Sequence, residues 1–132
     1  MDVIAHFKGA RAISIPADVV VFQEGEPGKE MYVLLEGEAE ISVGGEVVEL
    51  AGPGTLLGEM ALINSAVRSA TVITRRASRF VSIDTRQFDF LVRESPEFAR
   101  HVMAVMAERL RSTNEKLTLA IRELSVRGRG PG

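Results

Sequence analysis

Along the first two thirds of the chain, apolar residues come in short clusters separated by turn-forming residues. Val19–Phe22 is an apolar, β-branched run that ends at the turn-rich segment Glu24–Gly28. Met31–Leu35 is a second run, closed by Glu36-Gly37. Ala39, Ile41 and Val43 then alternate with polar residues, Gly44-Gly45 supplies a two-residue hairpin turn, and Val47–Leu50 returns. Gly52-Pro53-Gly54 makes another corner, and Ser69–Thr74 and Arg79–Ile83 read as two further strands. The pattern predicts seven or eight short strands at regular spacing, an antiparallel jelly roll or barrel. Nine of the twelve glycines fall between Gly9 and Gly58, and the other three lie at the tail, from Gly128 on. Glycine costs about 1 kcal/mol inside a helix, so the glycine-free stretch is where helices are expected.

That stretch carries helix signals. Asp84 or Thr85 is a plausible N-cap for a short helix over about 85–93, with Phe88, Leu91 and Val92 on one face. Ser95-Pro96-Glu97 marks a new start, with a capping serine, proline at the first helical position and an acid at the positive end of the dipole. Nothing interrupts the pattern from 96 to about 125, and thirty residues at 1.5 Å each give about 45 Å. A compact domain of this length is only about 36 Å across, so the helix outruns it. Met103, Met106, Leu110, Thr113, Leu117, Ala120 and Leu124 recur at alternating intervals of three and four, a heptad seam. Such a stripe is more often ordinary core contact, but the length favours a paired helix and a homodimer through it. Residues 126–132 read as a flexible, weakly basic tail.

Composition narrows the classes. The 132 residues suit one domain, expected over 1–125 with its β roll at about 12–83. With 45% hydrophobic and 26% charged residues the chain is globular in composition. A formal charge of −2 does not make a nucleic-acid-binding face. The absence of cysteine excludes disulfides and thiolate chemistry and fits a reducing compartment. Neither a secretory signal nor a membrane-spanning run is present, so the expected location is cytoplasmic, with no membrane partner. A cupin-type metal enzyme would need several histidines and a carboxylate on the strands. His6 and His101 lie outside them, so no metal and no catalysis are expected.

The candidate chemistry lies in Leu57-Gly58-Glu59-Met60-Ala61-Leu62-Ile63, followed by Arg68-Ser69-Ala70-Thr71. A glycine leads into one short apolar turn whose first amides suit a phosphate. Arg68 offers a guanidinium fork for a phosphodiester and Ser69 a hydroxyl. Glu59 would be repelled by an anion unless it accepted a hydrogen bond, for example from a sugar hydroxyl. The set suits a ligand carrying both a phosphate and a free ribose hydroxyl. Singly, each residue has an ordinary explanation as a dipole partner, a solvated cation or a β edge.

Together, these two segments closely resemble the phosphate-binding cassette of the cyclic-nucleotide-binding domain family. The resemblance covers about Ile15 to Leu124, with Glu24–Pro27 and Met31–Glu38 similar to the family's early strands. It implies a sensor for a cyclic nucleotide, cAMP or cGMP, with no other cofactor. By resemblance, Glu59 binds the ribose 2′-hydroxyl. Arg68, Ser69 and the amides of Gly58, Glu59, Met60 and Ala61 bind the cyclic phosphate. Arg109–Leu117 looks like the dimer helix of the catabolite activator proteins of the Crp-Fnr type, which assigns the adenine amino group to Thr113 and Asn114 and favours cAMP. Leu57 stands where the family often has an aromatic, a change expected to affect packing only. No helix-turn-helix sequence follows Leu124, so this chain is expected not to bind DNA directly, whether it is a stand-alone sensor or part of a longer regulator. The competing expectation is a ligand-free relative that serves as a dimerisation module.

Overall fold

The computed structural model describes residues 1–64 and 67–128. After a short helix α1 (Val3–His6) come β1 (Ile13–Ile15), β2 (Val20–Phe22), β3 (Glu30–Glu36), β4 (Ala39–Val43), β5 (Glu46–Ala51) and β6 (Leu56–Leu57). Helix α2 (Met60–Ile63) precedes β7 (Thr71–Thr74) and β8 (Ser78–Asp84), and α3 (Thr85–Glu94) and α4 (Pro96–Gly128) close the chain. The strands form two four-stranded antiparallel sheets, ordered β1-β8-β3-β6 and β2-β7-β4-β5. This is the strand order of a double-sheet jelly roll, built as two facing sheets.

The apolar run of β3 is continuous because both faces of that strand are covered. Met31, Val33 and Leu35 point to the helices and pack with Leu56, Val81, Ile83, Phe98 and Val102. Leu34 points between the sheets and joins Phe22, Ile41, Leu57, Val72 and Phe80. Two-residue periodicity thus sorts one run into two cores. The Gly44-Gly45 turn has both residues at positive φ, 59° and 83°, which matches a type I′ hairpin between β4 and β5.

Asp84 caps α3 with a full capping box, its carboxylate accepting from the Gln87 amide while the Gln87 side chain accepts from the Asp84 amide. The first turns of α4 bury Phe98 and Val102 against the first sheet, with Val105 and Met106 alongside. Beyond that the helix leaves the domain: Leu110, Leu117, Leu119, Ile121 and Leu124 are exposed. The helix runs to Gly128 rather than ending near Ser125, so the expected tail begins later; residues 129–132 lie outside the described residues. Three elements escaped the sequence reading: α1, whose Phe7 packs edge-on against Phe98, and the short strands β1 and β6. Among the described residues, no helix is long and apolar enough to cross a membrane.

His101, on α4, carries a prediction. Burial, followed by the nearby N-terminal ammonium, holds its imidazole below the usual value, with Glu97 opposing. Its Nε2 is buried with no partner among the described residues. The folded chain therefore prefers the neutral ring, and the unfolded chain takes up the proton first as pH falls. Stability is expected to drop as pH falls through about 6.5 and to level off below the folded-state pKa. Urea unfolding at neutral and mildly acidic pH should show this loss in the native chain and less of it in His101→Gln. An identical pH slope in the two proteins would refute the assignment.

Candidate functional site

The cassette positions Arg68 by backbone and side chain together. Its amide donates to the Glu26 carbonyl and its carbonyl accepts from the Gly25 amide, both at 2.8 Å, which ties it to the turn after β2. Its side chain passes inward between two glycines. A Cβ at Gly28 or at Gly58 would collide with the guanidinium, and Gly58 also has a φ of +76°. Both positions therefore need glycine, Gly58 for its backbone as well as for space. The guanidinium lies 4.2 Å from the Phe22 ring centroid, and its Nη1 donates to the Glu30 carbonyl at 2.6 Å. Phe22 in turn stacks on Tyr32, whose hydroxyl burial holds above the usual phenol value, Glu30 adding to the shift and Arg68 opposing it.

Arg68 is only 6% exposed, and its Nε finds no partner among the described residues. None of the described carboxylates forms an ion pair with it. A buried cation left in this way is costly, and the natural remedy is an anion brought in by a ligand.

Glu59 is 4% exposed. Its Oε1 accepts from Arg109 Nη1 at 2.6 Å, while Oε2 is buried without a partner among the described residues. Arg109 also donates to the Leu56 carbonyl at 2.5 Å and lies 3.8 Å from a Glu49 carboxylate oxygen. This arginine therefore joins α4 to the cassette and to β5. Its role was missed in the sequence, although a signal existed: it lies four residues before Thr113 and so shares its helix face.

Gly58, Glu59, Met60, Ala61, Arg68, Ser69 and Thr113 all line one cavity of about 620 Å³. Asn114 is exposed and does not line it. The Ala61 amide is engaged with the Gly58 carbonyl at 3.2 Å, so the short turn has fewer free donors than its sequence suggests. Met106, Leu110, Thr113 and Lys116 form the wall given by α4, and Ile41, Val43, Val48 and Val72 form much of the wall given by the second sheet. Three cations, Arg68, Arg109 and Lys116, face two carboxylates, Glu49 and Glu59. The lining thus has one positive charge in excess, which matches a monoanionic ligand. Among the described residues, no cluster of three or more His, Cys, Asp or Glu is placed to hold a metal ion.

Comparison with known proteins identifies the class. Residues 12–95 match the family model of the cyclic nucleotide-binding domain, and the chain belongs to that family. It is 37% identical over 102 residues to a cyclic nucleotide-gated potassium channel of Mesorhizobium japonicum, spanning 77% of this chain and 28% of the channel. It is 30% identical over 115 residues to a CRP-like cAMP-activated global transcriptional regulator of Mycobacterium tuberculosis, spanning 83% of this chain and 51% of the regulator. Its fold matches the catabolite activator protein of Thermus thermophilus with a TM-score of 0.77 and 26% identity, spanning 92% of this chain and 64% of that one. The chain therefore spans about half the length, or less, of these two curated relatives.

Proposed function

We propose that this domain binds a cyclic purine nucleotide, cAMP foremost, in the cavity between the cassette and α4, and that it acts as a sensor rather than an enzyme. One observation carries the reading: Arg68 and Glu59, a buried guanidinium whose Nε and a buried carboxylate whose Oε2 find no partner among the described residues, line the same cavity. A cyclic phosphodiester supplies acceptors for Arg68, with Ser69 and the cassette backbone beside it. A ribose 2′-hydroxyl donates to Glu59 without displacing Arg109, because the two use different carboxylate oxygens. Thr113 faces the base. The cavity volume lies within the roughly 300–1,000 Å³ of small-molecule sites.

Signalling follows from where the ligand sits. A nucleotide held by the β roll and by α4 favours arrangements in which the two are close, and it shifts the population only as far as its affinity differs between them. The exposed apolar residues of α4 then pair with a second copy, so a change in helix position is read across a homodimer. The chain itself makes no direct contact with nucleic acid in this reading.

Isothermal titration with cAMP, cGMP and 5′-AMP tests the site. Cyclic nucleotides are expected to bind at micromolar or tighter affinity, with 5′-AMP much weaker. Heat-silent titrations of folded, nucleotide-free protein would favour a ligand-free interaction module instead. Sedimentation of the same samples reads the pairing, and a purely monomeric mass would overturn it.

A further inference from the structure

We infer, in a step that rests on the nucleotide reading above, that Phe22 is a positioning residue: its ring holds the Arg68 guanidinium in place before a phosphate arrives. An irregularity in β2 brings the ring there. Val20 and Phe22 would share a face of a regular strand, yet Val20 is exposed and Phe22 is buried. The register against β7 shifts between them, from Val20 opposite Ile73 to Phe22 opposite Val72, which is the extra residue of a β-bulge. The bulge re-aims Phe22 inward. Behind it the ring stacks on Tyr32, and Tyr32 meets the fully buried Phe80 edge-on. This ladder of rings fixes where Phe22 sits.

The ring answers a charge that nothing else answers. Arg68 is buried, and none of the described carboxylates forms an ion pair with it. Its guanidinium carbon lies over the Phe22 ring, 4.2 Å from the centroid, with the Tyr32 centroid at 5.9 Å. The face of an aromatic ring is negative and attracts a cation, more strongly where water is excluded.

The direction of that attraction matters as much as its strength. A carboxylate partner would consume in-plane N–H groups, the same groups that fork onto a phosphodiester. A ring beneath the plane consumes none of them. Nη1 is already committed to the Glu30 carbonyl at 2.6 Å, so the remaining donors have all the more value. Phe22 thus steadies the cation without competing with an incoming anion. A side chain held in place beforehand also loses less rotamer freedom on binding.

Mono-, di- and trifluorinated phenylalanine at position 22 test this, because fluorine drains the negative face with little change in ring shape. The first measurement is urea unfolding without ligand. The folding equilibrium should fall stepwise, by about fivefold with three fluorines, and should not fall in the Arg68→Ala background. Equal losses in both backgrounds would overturn the contact between ring and cation. The second measurement is calorimetry with cAMP and cGMP. Both should weaken together along the series, and by about tenfold in Phe22→Leu, because the phosphate is common to both ligands. The fluorinated chains carry the test alone if Phe22→Leu does not fold. An anion touching the ring directly would instead bind more tightly as the face loses charge. A flat or rising affinity series would therefore overturn the positioning role and leave the nucleotide reading standing. A native chain that binds neither ligand would remove that reading and the positioning role with it.

Discussion

Replacing Arg68 with alanine is expected to lower cyclic-nucleotide affinity by at least roughly a hundredfold while leaving the ligand-free fold intact. The affinity argument is additive. Each hydrogen bond to a charged group contributes about 1.5–3 kcal/mol, and a guanidinium fork gives a phosphodiester two of them. Two such bonds make about 3 kcal/mol or more, or at least roughly two orders of magnitude in Kd.

The stability argument runs the other way and sharpens the test. In the free protein Arg68 is a buried cation with no ion-pair partner among the described residues and an unsatisfied Nε. Its removal relieves that burden, although the Glu30 carbonyl loses a donor at 2.6 Å. The two effects oppose each other, so the thermal midpoint without ligand should change little. The rise in midpoint on adding nucleotide should largely disappear, since stabilisation by a ligand follows its affinity. Lysine at this position keeps the charge but not the fork and should fall between the two. Binding by Arg68→Ala within twofold of the native chain would refute the site.

The architecture was legible because its signals are local. The Gly44-Gly45 turn, the strand alternation of β4 and the cap at Asp84 each depend on residues within a few positions of one another, and each formed where its residues predict. The cassette was legible for the same reason, since Gly58 through Ser69 is a single stretch. Two kinds of feature were not. Strands β1 and β6 have three and two residues, too short for periodicity to register, and they exist because β8 and β3 offer them an edge. The partner of Glu59 lies fifty residues away on another element, and only the packing of α4 against the first sheet brings Arg109 to it. Asn114 shows the converse: it is adjacent to Thr113 in sequence, but one residue is about 100° of helical rotation, which carries it out of the cavity lining.

The Glu59–Arg109 pair is where the ligand site and the output helix become one structure, and removing the arginine should show it. Glu59 is almost wholly buried, whereas Arg109 keeps about a third of its side chain exposed at 30%. The two truncations are therefore unequal. Arg109→Met strands a buried carboxylate and also frees the Leu56 carbonyl, at a cost near the lower end of the range for broken buried pairs, about 3 kcal/mol. Glu59→Gln leaves an arginine that can turn to water and keeps an acceptor in place, so its cost should be smaller. In the double variant no charge is stranded, and the loss should fall short of the sum by about 1–3 kcal/mol. Urea unfolding of all four proteins measures this coupling directly. Because the pair joins the cassette to α4, Arg109→Met should also loosen the helix from the β roll, and amide exchange in the α4 segment around Met106 and Leu110 should quicken. If Arg109→Met unfolds within about 1 kcal/mol of the native chain and exchange along α4 is unaltered, the helix is held by the apolar packing of Phe98, Val102, Val105 and Met106. In that case a nucleotide that engages Glu59 has no polar connection through which to move the helix.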